Sequence, residues 1–220
     1  DARCTALVVG GGITGALCAH ALAEAGVDVL VLEAASIGTA STSASTALLQ
    51  YELDTPLHKR VEHVGENTAV RSYQLCANAV DELLALGERS GPCDAAARQS
   101  LQYASRRRDV AGLEQEHALR KKQGFETELL SAKEVKARFG FRKPAGLISH
   151  KAGEVDPYRM THLLFQEVIK KGGRVMDRSK VEDFKRSGNG FAATTAGGGR
   201  ITADHLIMAT GYESARYLHE

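Results

Sequence analysis

The sequence has almost no net charge, no long apolar run and no paired cysteines, and each absence removes a class of function. Its 28 basic and 27 acidic residues leave a formal net charge of +1. The global balance therefore gives no reason to expect a nucleic-acid partner. Local basic clusters at Arg106-Arg107-Arg108, Lys121-Lys122 and Lys170-Lys171 read as solvated faces. No apolar run is long enough to span a membrane. The first one, Ala6 to Val9, closes in glycines and is no signal peptide. The cysteines Cys4, Cys18, Cys76 and Cys93 form no CxxC pair and no Cys/His cluster with zinc spacing. No metal site is expected, and free thiols point to a reducing compartment, the cytoplasm. The chain opens at Asp1 rather than at methionine, which suggests either processing or an edited start. No internal repeat is present.

What remains is an ordinary globular composition, 43% hydrophobic and 25% charged over 220 residues, enough for one large domain or two small ones. Thr5 to Val9 reads as a buried strand, Ile13 to Ala25 as a helix ended by Gly26, and Val27 to Leu32 as a second buried strand. A strand–helix–strand unit implies a right-handed crossover and a parallel pair. Residues 34–47 are mostly Ala, Ser, Thr and Gly. Their place just after the second strand is where a doubly wound sheet binds ligands, although a slack linker has the same composition. Residues 57–90 read as mostly helical up to a break at Gly91-Pro92.

The middle of the chain predicts a strand at Ser100–Ser105, a helix at Val110–Gln123, a strand at Glu126–Leu130, a capping box at Ser131 and Glu134, and a strand at Pro144–His150. Asp156-Pro157 starts a helix running to about Lys171, because Asp caps free N–H groups and Pro has none to leave unpaired. Four strands follow: Val175–Asp177, Lys180–Arg186, Phe191–Thr195 and Arg200–Met208, the last ending in Ala209-Thr210-Gly211.

Gly10-Gly11-Gly12-Ile13-Thr14-Gly15 matches G-x-G-x-x-G. The pattern is weak alone and strong here, because it follows a strand, opens a helix and precedes a second strand ending in Glu33. Gly10 permits a tight turn, Gly12 lets a pyrophosphate approach the backbone, and Gly15 lets helix and strand pack closely. The helix amino terminus offers N–H groups and a positive dipole end to phosphate. Glu33 can accept hydrogen bonds from ribose hydroxyls, while its charge repels a 2′-phosphate.

At this point the sequence resembles the FAD-dependent oxidoreductases of the D-amino-acid oxidase and glycine oxidase family. Three places carry the resemblance: Val8 to Glu33 with Ala19, Leu22 and Gly26; Glu154-Val155-Asp156-Pro157-Tyr158; and Leu206 to Tyr212 with its Ala-Thr-Gly. It implies FAD contacts from Gly10, Gly12, Ile13, Thr14 and Gly15, from Glu33 and Ala34, from the loop residues Ser41, Thr42, Ser43, Thr46 and Ala47, from Val181 beside the adenine, and from Ala209, Thr210 and Gly211. The arginine often found in the family's loop is absent here. The fold implied is α/β: a doubly wound, Rossmann-like FAD-binding domain from 1–90 and 150–220, with a partial α+β substrate-side module at 91–149 inserted.

The activity implied is oxidation of a small amine, amino acid or 2-hydroxy acid by hydride transfer to flavin N5, the cofactor carrying the hard chemistry. No catalytic acid or base stands out. His20 reads as a surface residue, and His58, His63, His117, His162, His205 and His219 lack a partner pattern. His150, Tyr51 and Gln50 are weak substrate-side candidates. Two rivals stand. A NAD-dependent dehydrogenase explains the glycine motif but neither the Ser/Thr loop nor the distant Ala-Thr-Gly strand. A non-catalytic FAD-binding or partner-binding fragment fits because family members are longer. A carboxy-terminal half or second chain is then missing, and the isolated chain is expected to hold FAD without turning over substrate.

Overall fold

In the computed structural model, which describes residues 1–213, the elements in chain order are β1 (Ala2–Val9), α1 (Ile13–Glu24), β2 (Val29–Leu32), β3 (Leu48–Gln50), α2 (Leu57–Val64), α3 (Glu66–Ser90), β4 (Ala96–Tyr103), α4 (Val110–Lys122), β5 (Thr127–Ser131), α5 (Ala132–Phe139), β6 (Ala145–Glu154), α6 (Pro157–Lys170), β7 (Arg174–Met176), β8 (Val181–Ser187), β9 (Gly190–Thr195) and β10 (Arg200–Met208). They form two compact units. One takes Asp1–Ala47, Arg89–Cys93 and the chain from Asp156 onward; the other takes Leu48–Glu88 and Asp94–Val155. The expected boundaries at 90 and 150 thus fall elsewhere. The helices of residues 57–88 belong with the second sheet, because their apolar faces are buried there: Leu57, Ala69, Val70, Tyr73, Ala77 and Val80 make one core with Tyr51.

The first unit is built on a six-stranded sheet in the order β7-β2-β1-β10-β9-β8. β7, β2, β1 and β10 run parallel, while β9 and β8 return antiparallel. The all-buried runs Leu7-Val8-Val9 and Val29-Leu30-Val31-Leu32 are what a parallel strand covered on both faces requires. Alternation sends Leu7, Val9, Leu30 and Leu32 to one face, packed with Ala193, Ile201 and Ala203. α6 starts as its sequence dictates: Asp156 accepts the Arg159 N–H at 3.0 Å, and Pro157 occupies the first turn.

The second unit is an antiparallel sheet in the order β3-β6-β4, with β5 also on β6. The three-residue strand β3 had no legible signal; it pairs Leu48 and Gln50 with Glu154 and Ala152. Gly65 ends α2 and so divides the predicted 57–90 helix in two. The capping box forms as expected: Ser131 accepts the Glu134 N–H, and Glu134 accepts the Ser131 N–H.

An ionic knot holds this unit together. The Glu116 carboxylate accepts the N–H groups of Leu57 and His58 at 2.9 Å each, and so caps α2 from α4. His58 Nδ1 lies 2.7 Å from it, and Arg120 donates to it at 2.6 Å. Glu116 and Arg120 are both 1% exposed. Arg120 also reaches Glu52 and Ser149, with its guanidinium over the Tyr51 and Tyr73 rings. Burial raises the Glu116 carboxyl, but the Arg120 charge and the donors from His58 and Leu57 outweigh it, and the net direction is down. His58 therefore has the partner its sequence context did not show.

Glu116→Ala would leave Arg120 short of a buried counter-charge and uncap α2. Breaking a buried pair costs about 3–5 kcal/mol, readable as a lower urea midpoint. A carboxyl depressed on folding stabilises fully above its unfolded pKa, and the gain is lost as pH falls through the folded value. Wild-type stability should therefore fall on acidification more steeply than that of Glu116→Gln. Equal pH dependence in the two proteins would show that the knot does not stabilise the fold.

Candidate functional site

The first unit gathers its distinctive residues at the carboxyl ends of β1, β2 and β10, where open α/β sheets bind ligands. Gly10 leaves β1 with φ of +116°, and a Cβ there would lie 2.4 Å from the Ala209 carbonyl oxygen. A Cβ on Gly15 would lie 2.0 Å from the Gly10 carbonyl oxygen. Only glycine fits either place, so helix α1 sits directly on the turn that precedes it. Gly12 is extended, with φ of −81°, and a Cβ there would meet only the Thr42 hydroxyl at 2.9 Å. Unlike the other two, Gly12 leaves its open side free of backbone.

Glu33 ties the turn to β2. One carboxylate oxygen accepts the Gly11 N–H at 2.6 Å and the other accepts the Ala35 N–H at 2.7 Å. Both oxygens keep lone pairs for further donors, as a ribose would supply. The backbone beside it is fixed from β7 onward: Ser179 N–H donates to the Glu33 carbonyl at 2.7 Å, and Arg178 N–H to that of Ala35 at 2.8 Å. These contacts bring Val181, which opens β8, to within two residues of the Glu33–Ala35 strand end. Ala34 is exposed at the same end.

The small-residue loop is not slack. Thr42 is buried, and its hydroxyl accepts the Ile13 N–H at 3.0 Å, capping α1 across 29 residues of chain. Ser41, Ser43 and Thr46 are exposed, and Ser43 closes a local turn on the Ala40 carbonyl. Ala40 and Ala47 both hold positive φ, 58° and 67°. Such strain in non-glycine residues persists only where the surroundings impose it. Thr14 is exposed on the first turn of α1.

The Ala-Thr-Gly segment lies against the glycine turn. Ala209 N–H donates to the Val9 carbonyl at 2.7 Å, and Gly211 turns away with φ of 61°. Thr210 Oγ1 is buried without a hydrogen-bond partner among the described residues. A buried hydroxyl left unpaired costs free energy, and this one is adjacent to the residue that packs on Gly10. The cradle suits a pyrophosphate and ribose: amide donors at a helix start, room at Gly12, an acceptor pair at Glu33 and an unsatisfied hydroxyl. It carries no group for acid–base work. Among the described residues no cluster of His, Cys, Asp and Glu is placed to hold a metal.

Several expectations need correction. His20 is buried at 9% exposure on α1, not at the surface. Tyr51 is 1% exposed and stacks on Phe125 at 5.3 Å in the second unit's core, so it is a packing residue. Gln50 is exposed on β3, and His150 is exposed with Gln99 at 2.9 Å. His117 pairs with Thr127, and His162 packs edge-on against Tyr158. His219 lies outside the described residues. Two contributors escaped the sequence reading. Gly11 donates to Glu33, and Arg178-Ser179 lock its backbone. The first was hidden inside the motif as a variable position. The second showed only as a loop after a short strand.

Comparison with known proteins places this geometry. The family described as FAD dependent oxidoreductase, the DAO family, matches residues 5–220, and the chain belongs to that family. It is 25% identical over 187 residues to YhfW of Bacillus subtilis (strain 168), whose provisional name is Rieske 2Fe-2S iron-sulfur protein, covering 84% of this chain and 36% of that protein. It is 27% identical over 209 residues to gamma-glutamylputrescine oxidoreductase of Escherichia coli (strain K12), covering 94% of this chain and 48% of that one. Glycine oxidase from Geobacillus kaustophilus has a similar fold, with a TM-score of 0.78, 20% identity, and coverage of 97% of this chain and 57% of the other. The chain thus spans less than half the length of the curated relatives it matches.

Gly15→Ala would drive a methyl group into the Gly10 carbonyl. Overpacking costs typically about 1–3 kcal/mol, and here the opposing atom is backbone and cannot rotate away. The thermal midpoint should drop clearly. An unchanged midpoint would mean that α1 and the turn are not in contact.

Proposed function

We propose that the first unit binds FAD, with the pyrophosphate at Gly10–Gly15 and the adenosine ribose on Glu33. The observation that carries the reading is the glycine cradle beside the unpaired Thr210 hydroxyl, in a chain that belongs to an FAD-dependent family. Gly12 and Thr14 supply amide donors at the start of α1, and Ile13, whose own N–H is held by the Thr42 hydroxyl, lines the same turn. Thr42 holds the small-residue loop against that start, and Ser41, Ser43, Thr46 and Ala47 are the loop's remaining contacts. Ala34 and Val181 flank the adenosine end; Ala209, Thr210 and Gly211 close the other side. A nicotinamide cofactor would use the same turn, but family membership favours flavin.

The activity of the whole protein follows as a proposal: oxidation of a small amine or amino acid, or of a 2-hydroxy acid. FAD supplies the hydride acceptor, flavin N5. The chain's own residues bind and orient that cofactor: Glu33 holds the ribose hydroxyls, and α1 directs its positive end at the phosphates. The second unit, or part of it, is the substrate-side module. The four free cysteines support residence in a reducing compartment such as the cytoplasm, and no helix among the described residues is long and apolar enough to cross a membrane.

Purified protein should carry, or take up, a flavin visible in its absorbance. Glu33→Ala removes a charge-assisted acceptor, a loss of about 1.5–3 kcal/mol, so FAD affinity should fall roughly 10- to 150-fold. Gly12→Val should abolish retention by placing a branched side chain where phosphate must approach. FAD binding at wild-type strength in both variants would rule out the pose. Anaerobic bleaching by amines, amino acids or 2-hydroxy acids tests the activity without assuming an electron acceptor. Tight FAD binding with no bleaching by any of them, in the full-length protein, would separate a cofactor module from an oxidase.

A further inference from the structure

One surface of the second unit serves neither its core nor the cofactor cradle. α5 ends at Gly140 in the left-handed conformation, and this sharp turn sets Phe139 and Phe141 side by side, ring centroids 5.9 Å apart. Phe141 meets Tyr103, at the end of β4, edge-on at 5.8 Å. All three rings are substantially exposed: 40%, 39% and 43%. Large exposed apolar groups in mutual contact mark an interaction surface, whereas single ones need no explanation.

The chain segments that carry these rings are rich in cations. Residues 133–143 hold Lys133, Lys136, Arg138, Arg142 and Lys143 against one acid, Glu134. Ala104 N–H donates to the Ala145 carbonyl at 3.0 Å, which brings Arg106-Arg107-Arg108 beside the approach to β6. The nearby acids are already engaged. Glu134 is held in the capping box, Glu128 by Arg138, and Asp109 by the Arg106 N–H. Arg106, Arg107, Lys133 and Arg142 make no ion pair among the described residues, and Lys143 Nζ sits 4.3 Å from the Tyr103 ring centroid. Exposed aromatic rings with Lys143 at one of them and the unpaired Arg106, Arg107, Lys133 and Arg142 in the same chain segments are the composition of a surface that rests at the headgroup level of a bilayer.

We propose that this patch is a peripheral docking surface for anionic phospholipid membranes, with Phe139, Phe141 and Tyr103 entering the interface and the cations of these segments pairing with lipid phosphates. Charge complementarity selects this occupant. Nucleic acid fits less well, because single-strand binding needs ring faces open for stacking, and here the rings are engaged with one another and with Lys143. The docking proposed is at the bilayer surface; no helix among the described residues is long and apolar enough to cross a membrane. The surface lies wholly in the second unit and does not depend on the flavin reading.

The chain contains no tryptophan, so Phe141→Trp places a single reporter in the patch. The purified protein should sediment with vesicles of equimolar phosphatidylcholine and phosphatidylglycerol, and not with phosphatidylcholine alone. The indole emission of that variant should shift to the blue only with the anionic vesicles. Each cation near such a surface contributes about fivefold in partitioning, so Arg142→Glu with Lys143→Glu should lower it by about 25-fold or more. Phe139→Ser with Phe141→Ser should lower it at unchanged charge, and a native circular-dichroism spectrum confirms folding of each variant. Equal sedimentation with both vesicles, or undiminished partitioning of the folded variants, would overturn the proposal. So would binding to polyglutamate and to vesicles with no emission shift, which would make the patch a site for an acidic protein.

Discussion

The approach of Gly15 to the Gly10 carbonyl is the contact on which the first unit depends. A helix can follow a parallel strand through so short a turn only if its first turn lies against the strand's last peptide. At that distance no Cβ fits. Once made, the contact fixes where the amino terminus of α1 points. It also presses the turn against Ala209, so the ends of β1 and β10 must be neighbours, as their register from Ala2–Ile201 to Val9–Met208 has them. The residues of the cradle, distant in sequence, converge because this packing leaves them no other arrangement.

Glu33 extends the same constraint across the sheet. Its carboxylate occupies two backbone donors, Gly11 and Ala35, and its own backbone is occupied by Ser179. The side chain is therefore held in place before any ligand arrives, and preorganised acceptors lose less ordering entropy on binding. Thr42 does the same from the loop side by capping Ile13. A loop rich in small residues makes sense here: large side chains would fill the space above Gly12.

The second unit solves a different problem. Its antiparallel sheet is covered by helices whose attachment is partly ionic, with Glu116 capping one helix from another. A buried carboxylate is tolerable because Arg120 Nε, the His58 ring and two backbone N–H groups converge on it. The same unit leaves three aromatic rings and several unpaired cations at the surface, where neither core packing nor cofactor binding requires them. Family membership accounts for the cradle; it does not by itself account for that patch.

The sequence determined the local elements and the class of ligand. G-x-G-x-x-G between two apolar strands, Glu33 at the second strand's end, Asp156-Pro157 and the Ala-Thr-Gly each carry their meaning within a few neighbouring residues, because turns, caps and phosphate contacts are short-range geometry. The tertiary structure alone decided the rest. Nothing near Leu48 announces a strand, since three residues become one only by pairing with β6. Residues 57–88 carry a helical period but no mark of which sheet they cover, and their burial around Tyr73 assigns them to the second. His58 and Glu116 lie 58 residues apart, and His20 faces inward because of the packing around α1. Thr210 looks like any strand-end residue until its hydroxyl is found buried beside the turn without a partner. Long-range partners are chosen by where packed surfaces meet, and no local pattern records that choice.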